Sequence, residues 1–288
     1  MAGLRRFEGD AFSGGISRKG ELGGTVSSSL ATRKPMPSSV LNQAIVSSSA
    51  DGLTVQLAFG GKTAHLGPVA PVRGSAAPAY DQTARVAQLD RTLSLEPGSP
   101  LNPNLRVQAS GIRTEAASAG MGVDAVSANG AADIGSADVV LTDNPLSPRG
   151  ILGLLGLSVS ASHIHAAADY SHVYGMNKSF VTGDASFGSL RLGGALIGKT
   201  LTFSGDAAPN TVLFSSPTVT VTLDRQIVSD LISGGLTKTL TPEGITTQAI
   251  DISLRNATLF GKSVSGDIVI GEAAAGAGGG PAWGSLHG

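Results

Sequence analysis

Alternation of apolar and polar residues with a period of two is the feature that most constrains how this chain can fold. Apolar residues occupy every second position of residues 53–59 (LTVQLAF), 219–223 (VTVTL) and 250–254 (IDISL). Because successive side chains of a strand point to opposite faces, this spacing predicts strands with one buried face. Helix-compatible spacing is limited to Ser147–Leu155 and Gln226–Ile232. The pattern therefore predicts an all-β protein.

Shorter strand candidates fill much of the remaining chain, and turns rich in Gly, Pro, Asn and Asp separate them. They are Arg106–Ala109, Val123–Ala128, Asp138–Leu141, Ser158–His165, Ser189–Leu192, Lys199–Phe203, Thr211–Phe214 and Asp267–Ile270. Many short strands without crossover helices favour a β-sandwich or a barrel-like fold with long loops. A β-solenoid is the alternative, although no repeat of fixed period is visible. We expect the Pro- and Ala-rich segment from Gly67 to about Leu105 to form surface loops.

Composition divides the chain into three parts. Residues 1–49 carry repeated Gly pairs and Ser triplets with little periodicity, which predicts a flexible or weakly structured leader. Residues 50–275 are expected to form the all-β domain. Residues 276–288 are Gly-rich and are expected to form a flexible tail. The first ten residues lack the apolar segment of a signal peptide.

Several classes of function are disfavoured by the residue content. The chain has no cysteine, so disulfides and cysteine-ligated metal sites are excluded. The net charge is only −1, and no cluster of Lys and Arg indicates nucleic-acid binding. The longest apolar run, Gly150–Leu157, is much shorter than the roughly 20 residues of a membrane-spanning helix. We therefore expect neither a nucleic-acid partner nor a membrane span.

Three segments near the C-terminus together resemble a known family. They are Pro217–Gln226 (PTVTVTLDRQ), Ile245–Leu254 (ITTQAIDISL) and Ser265–Ala274 (SGDIVIGEAA). In this order they are similar to the choice-of-anchor P family, and Ala50–Leu57 resembles that family's opening strand. The small-residue stretch Ala116–Leu141 is similar to its middle region.

The resemblance implies a location more than an activity. Members of that family are bacterial extracytoplasmic proteins joined to the envelope by differing C-terminal signals, and the domain has no established catalytic residues. The expectation is therefore a secreted or cell-surface protein with no functional residue carried over. Where the family pattern has Asn-Glu-Gln, this chain has Asp224, Arg225 and Gln226.

Histidines are concentrated in residues 162–172 (SHIHAAADYSH). In a strand, His163 and His165 share a face, and two imidazoles at that spacing can chelate Zn²⁺ or another divalent ion. Asp169 or His172 would complete the site after a turn. The competing interpretation is structural, because Leu157, Val159 and Ala161 have the same parity and would make this an apolar face. This segment is the only candidate metal or cofactor site.

Catalytic motifs are missing from the sequence, including the nucleophile elbow, the P-loop and the HExxH helix. We assign no catalytic residue and expect no enzyme. Three hypotheses follow. The first is a non-catalytic structural or adhesive surface protein that self-assembles into a homo-oligomer or filament, in which the leader could supply a strand to a neighbouring copy. The second is a metal-binding module or metal-dependent enzyme centred on His163–His172. The third is a secreted module that binds glycans or proteins of the cell envelope.

Overall fold

The computed structural model describes residues 46–75, 79–95, 103–120, 125–142, 155–176, 178–233, 239–259 and 261–277. They form thirteen strands and one 3₁₀ turn, Tyr174–Met176. The strands are β1 (Val46–Phe59), β2 (Lys62–Val69), β3 (Val72–Ser75), β4 (Asp81–Ser94), β5 (Asn104–Gly120), β6 (Ala125–Thr142), β7 (Leu155–Val173), β8 (Lys178–Gly193), β9 (Leu201–Asp206), β10 (Thr211–Ser215), β11 (Val219–Ser233), β12 (Thr239–Leu259) and β13 (Lys262–Ala277). The all-β prediction is confirmed. Within these ranges, no helix has the length and apolar character needed to cross a membrane.

The strands make two antiparallel sheets that pack face to face. Sheet A has the order β10-β11-β12-β13-β1-β2, and β3 pairs with β1 beside β2. Sheet B is a meander with the order β4-β5-β6-β7-β8-β9. Across the interface β1 contacts β5 and β6, β13 contacts β6 and β7, and β12 contacts β7 and β8. Each order has two ends, so both sheets are open. The fold is a β-sandwich, and the solenoid alternative is wrong.

The core between the sheets is built mainly from aliphatic side chains, as the scarcity of aromatic residues requires. Leu57 of β1, Leu141 of β6 and Ile252 of β12 are 0% exposed. Burying a side chain of this size contributes about 1.5–3 kcal/mol, so the inner faces of the long strands supply the main stabilisation of the fold.

Long strands change the face that they turn to the core. In β7, Leu157 and Ala161 pack in the core, and beyond them Ile164 and Ala166 do so. The two pairs have opposite parity. Between them His163 has a φ of 49°, a left-handed conformation that interrupts the alternation. We call this interruption the face switch.

Face switches occur in strands of both sheets. In β13 the core-facing Ile270 is followed by core-facing Ala273, and Gly271 between them has a φ of 71°. In β5 the switch lies at Gly111, with a φ of 63°. In β11 it lies at Asp224, with a φ of 47°. The alternation within one long strand is therefore split into two segments of opposite phase.

At one end of the sandwich the sheets approach closely because the facing residues are small. Gly130 of β6 lies against the backbone of sheet A, and a Cβ atom there would be 2.5 Å from the carbonyl oxygen of Ser49 and 2.7 Å from that of Ala274. Ala128 and Ala132, two residues on either side, are also buried. Any side chain at residue 130 would force the sheets apart.

The ends of the expected domain differ slightly from the observed strands. β1 begins at Val46, so residues 46–49, which we expected in the leader, are buried strand residues. β13 extends to Ala277. The rest of the expected leader and tail, residues 1–45 and 278–288, lies outside the described residues.

Two other local expectations are wrong. The segment expected to form loops, Gly67 to about Leu105, contains β3 and β4 and the start of β5. Gln226–Ile232, which has helix-compatible spacing, belongs to β11, whose pairing with β12 overrides local propensity. Most of the other helix candidate, Ser147–Leu155, lies outside the described residues.

Candidate functional site

Four polar residues form a row across the centre of sheet A. Asp51 of β1 is the register partner of Glu272 in β13, Glu272 is the partner of Gln248 in β12, and Gln248 is the partner of Arg225 in β11. Side chains of register partners share a face and have Cβ atoms about 4.5–5.5 Å apart. We call these four residues the acidic row.

The acidic row lies on the face of sheet A that points away from sheet B. Ala50 and Gly52, on either side of Asp51, are turned toward sheet B, and Ala273, which follows Glu272 beyond the face switch at Gly271, packs in the core. Adjacent residues of a strand point in opposite directions. Asp51 and Gln248 are nevertheless well shielded from solvent, each only 8% exposed, whereas the side chain of Arg225 at the end of the row is 43% exposed.

Burial changes the acidity of the two carboxyl groups. Burial raises the pKa of Glu272 to about 7, against the lowering effect of its hydrogen bond with Gln248. The neighbouring charges of Asp51 and Asp251 raise it further. Burial also raises the pKa of Asp51, and the charge of Arg73 opposes that shift. Shifted carboxyl groups of this kind are concentrated at functional sites.

Hydrogen bonding within the row is incomplete. The amide Nε2 of Gln248 donates to Oε2 of Glu272 at 2.6 Å. Within the described part of the chain, Oε1 of Gln248, Oδ1 of Asp51 and Oγ of the adjacent Ser49 are buried without a hydrogen-bond partner. A buried polar atom without a partner costs about 1–3 kcal/mol. These three oxygens therefore need a compensating partner.

A groove of about 780 Å³ lies on the same face of sheet A, beside the acidic row. Arg225 and Asp251 line it, and Nη1 of Arg225 donates to Oδ2 of Asp251 at 2.7 Å. The lining also includes the polar side chains of Thr63, Thr220, Thr222, Ser253, Arg255 and Asp267 and the apolar side chains of Leu57, Ala58 and Leu254. Hydroxyl, guanidinium and carboxylate groups of this kind suit a polar ligand.

The histidine segment lies on β7, and its members do not converge. His163 is exposed and lies over Gly188 of β8, on the outer face of sheet B. His165 also faces outward, where its Nδ1 is 2.7 Å from Oδ1 of Asp133. Asp169 is exposed and accepts a hydrogen bond from Asn129 at 2.7 Å.

His172 lies on the opposite face of β7. It has the parity of the core-facing Ala168 and Tyr170, its Nδ1 is 3.0 Å from Oγ of Ser179, and its ring contacts Tyr174 edge-on. Among the described residues no three His, Asp or Glu side chains are grouped closely enough to hold a metal ion. The metal hypothesis for this segment stays a prediction, and the structure does not bring its four residues together.

The parity argument for the two histidines is wrong in one respect. Leu157 and Val159 do point into the core, but beyond the face switch at His163 the core-facing residues are Ile164 and Ala166. Both His163 and His165 are therefore turned to the outside.

Sequence reasoning did not identify the acidic row. Its residues come from four strands, and only strand register brings Asp51 and Glu272 together. The one available signal was Glu272 itself, a carboxylate in a stretch of small and apolar residues, DIVIGEAAA.

Comparisons with known proteins place the chain in no family. No protein-family model matches it, and no curated protein matches it. Among solved structures it is similar to Ail, the attachment invasion locus protein of Yersinia pestis, with 8% identity and a TM-score of 0.16 over 81% of this chain and 98% of that chain. A TM-score this low does not establish a shared fold.

Proposed function

We propose that the chain is a non-catalytic structural or adhesive protein of a bacterial cell surface, and that it self-assembles through one edge of sheet B. The extracytoplasmic location rests on the resemblance to the choice-of-anchor P family. The assembly rests on a single structural observation, the exposed edge of β4.

Strand β4 is a long edge with free hydrogen-bonding capacity. It has 14 residues, none of them fully buried, and in the described part of the chain it pairs only with β5. The other sheet-edge strands β2, β3, β9 and β10 have 8, 4, 6 and 5 residues. Short edges resist pairing with other chains, whereas a long edge can add a strand from a partner. β4 is therefore the edge best suited to assembly.

A second copy of β4 fits this edge in one register. Ala84 and Val86 contact the core, and further along Leu89 and Leu93 do so, which places a face switch near residue 87. Two antiparallel copies keep the same faces together along their whole length only when their switches lie opposite each other. In that register Val86 lies opposite Leu89 of the partner subunit.

Charge complementarity supports the same register. Arg85 then lies opposite the partner's Asp90, and the two-fold symmetry of a dimer makes this pair twice. Arg85 has no side-chain partner among the described residues. Asp90 is exposed and accepts hydrogen bonds from Arg106 at 3.1 Å and Gln108 at 3.0 Å, which hold its carboxylate in place. Cross-strand pairs of opposite charge contribute about 0.2–1 kcal/mol each.

Reversing one charge on β4 tests the assembly. We expect the full-length chain to be a dimer and Arg85→Glu to weaken it, because a carboxylate at residue 85 faces the partner's Asp90. Two pairs, each changed by about 1 kcal/mol, raise the dissociation constant about 30-fold. Light scattering over a dilution series measures this change.

Arg91→Glu is the matched control. It makes the same charge change on the same strand, but residue 91 lies opposite the partner's Ala84. We expect its dissociation constant to stay within about threefold of the parent's. A monomeric parent chain would contradict the proposal, and so would equal weakening by both substitutions.

The groove on sheet A favours a second candidate function, a module that binds a polar partner such as a glycan. Its lining of hydroxyl and charged side chains supports this function. Screening the protein on a glycan array tests it, with Arg255→Ala as the variant that should lose binding. Retention of the same glycans by Arg255→Ala would argue against the groove as their site.

A further inference from the structure

We infer that Asp51, Glu272, Gln248 and Ser49 form a binding site for one hard divalent cation, of which Ca²⁺ fits best. The inference is independent of the assembly through β4. It rests on the carboxylates of the acidic row and on the oxygens beside them that have no hydrogen-bond partner.

The oxygens without partners point to a ligand. Ser49 is 5% exposed, and Asp51 and Gln248 are each 8% exposed, yet each has a buried oxygen that no described group satisfies. A sheet this regular leaves few such atoms, since buried polar groups are nearly always hydrogen-bonded. Ser49 and Asp51 are neighbours on the outer face of β1, and Gln248 lies on β12 with Glu272 of β13 between them, so one ion beside Glu272 would be a common partner for all three.

The amide of Gln248 is directed at the carboxylate pair. Its Nε2 donates to Glu272, so the unsatisfied Oε1 belongs to an amide that is already in contact with the Glu272 carboxylate. Rotation of the amide exchanges its nitrogen and oxygen, which are of nearly equal size. With an ion beside Glu272, the oxygen becomes the favoured atom at that position.

Charge balance favours a cation in the same place. Asp51 and Glu272 are register partners, so two carboxyl groups lie side by side in a shielded position. Arg225 is already paired with Asp251 at 2.7 Å, and Arg73, the register partner of Ser49, supplies one positive charge near Asp51, so the two carboxylates are only partly compensated. A divalent cation compensates both carboxylates at once.

The donor set selects the type of ion. Two carboxylates, an amide oxygen and a hydroxyl oxygen are all hard oxygen donors, which suit Ca²⁺ and Mg²⁺ and not the softer zinc ion. Ca²⁺ accepts six to eight oxygens in irregular arrangements, whereas Mg²⁺ demands near-ideal octahedral geometry. The site has two carboxylates, and its other two ligands are an amide and a hydroxyl. It is therefore compatible with the absence, among the described residues, of a cluster of three or more His, Asp or Glu side chains.

Calcium binding is tested by thermal unfolding of the full-length, chelator-treated protein at pH 8. Calcium chloride is compared with sodium chloride at the same ionic strength. We expect calcium to raise the melting temperature by about 5–10 °C once it exceeds its dissociation constant a hundredfold. Isothermal titration calorimetry should give one ion per chain.

Two variants assign the ion to this site. Glu272→Gln and Asp51→Asn each remove one carboxylate and should abolish the calcium-dependent shift. Glu115→Gln, on the other sheet, is the matched control and should keep it. A parent protein that does not respond to calcium overturns the inference, and so does a response that survives both Glu272→Gln and Asp51→Asn.

Discussion

Replacing Gly130 by alanine is expected to destabilise the protein by about 3 kcal/mol. The added Cβ would lie 2.5 Å from the carbonyl oxygen of Ser49 and 2.7 Å from that of Ala274. Both atoms are backbone atoms of paired strands, so neither can move away without displacing sheet A. Equilibrium unfolding in urea measures the loss.

Gly193→Ala is the matched control for this substitution. Gly193 is also a buried glycine of sheet B, but a Cβ there would be 3.4 Å from Oγ of Ser158, an ordinary contact. Because alanine restricts the unfolded chain, we expect a change between zero and a stabilisation of about 1 kcal/mol. Equal stability of the two variants would show that the sheets are not in close contact at Gly130.

Glu272→Gln is expected to remove a pH dependence from the stability of the protein. Glu272 has an ordinary pKa of 4.5 and a pKa of about 7 in the folded chain. Between these values the unfolded chain loses the proton and the folded chain keeps it, so the free energy of unfolding falls as pH rises. The total loss is about 3 kcal/mol, complete above pH 7 and absent below the unfolded value.

A glutamine at residue 272 does not titrate, yet it can accept the hydrogen bond from Gln248. We therefore expect Glu272→Gln to match the parent near pH 4 and to exceed its stability by up to about 3 kcal/mol at pH 8. Urea unfolding across this range, with a chelator present, measures the difference. Glu115→Gln should retain the parent's slope, and an unchanged slope in Glu272→Gln would show that Glu272 is ionised in the folded protein.

The sequence predicted the class of fold well, because the segments on either side of a face switch each alternate. It predicted the strand lengths poorly, because the switch reverses the phase of the alternation within one strand. The two segments of β7 each alternate clearly, but the switch at His163 reverses their phase. The sequence therefore indicated only Ser158–His165, whereas β7 spans Leu155–Val173. Edge strand β4 was missed for a second reason, because only one of its faces is partly buried and its alternation is weak.

The acidic row could not be predicted, because it depends on register between distant strands. Asp51 and Glu272 are far apart in the sequence and meet only because β1 and β13 pair. The histidine segment shows the opposite relation between distance in the sequence and distance in the structure. Its residues are close in sequence, and the alternation of β7 separates His165 from His172.

The most direct test of the proposed assembly is a distance measurement across the dimer. The chain has no cysteine, so Thr92→Cys gives a single attachment point for a nitroxide label on the exposed face of β4. In the proposed register residue 92 lies opposite the partner's Thr83, and the two labelled positions are about 31 Å apart at about 3.4 Å per residue. Pulsed electron paramagnetic resonance should show a distance distribution centred at about 31 Å. A signal without dipolar coupling, or a distribution centred far from that value, would contradict assembly through β4.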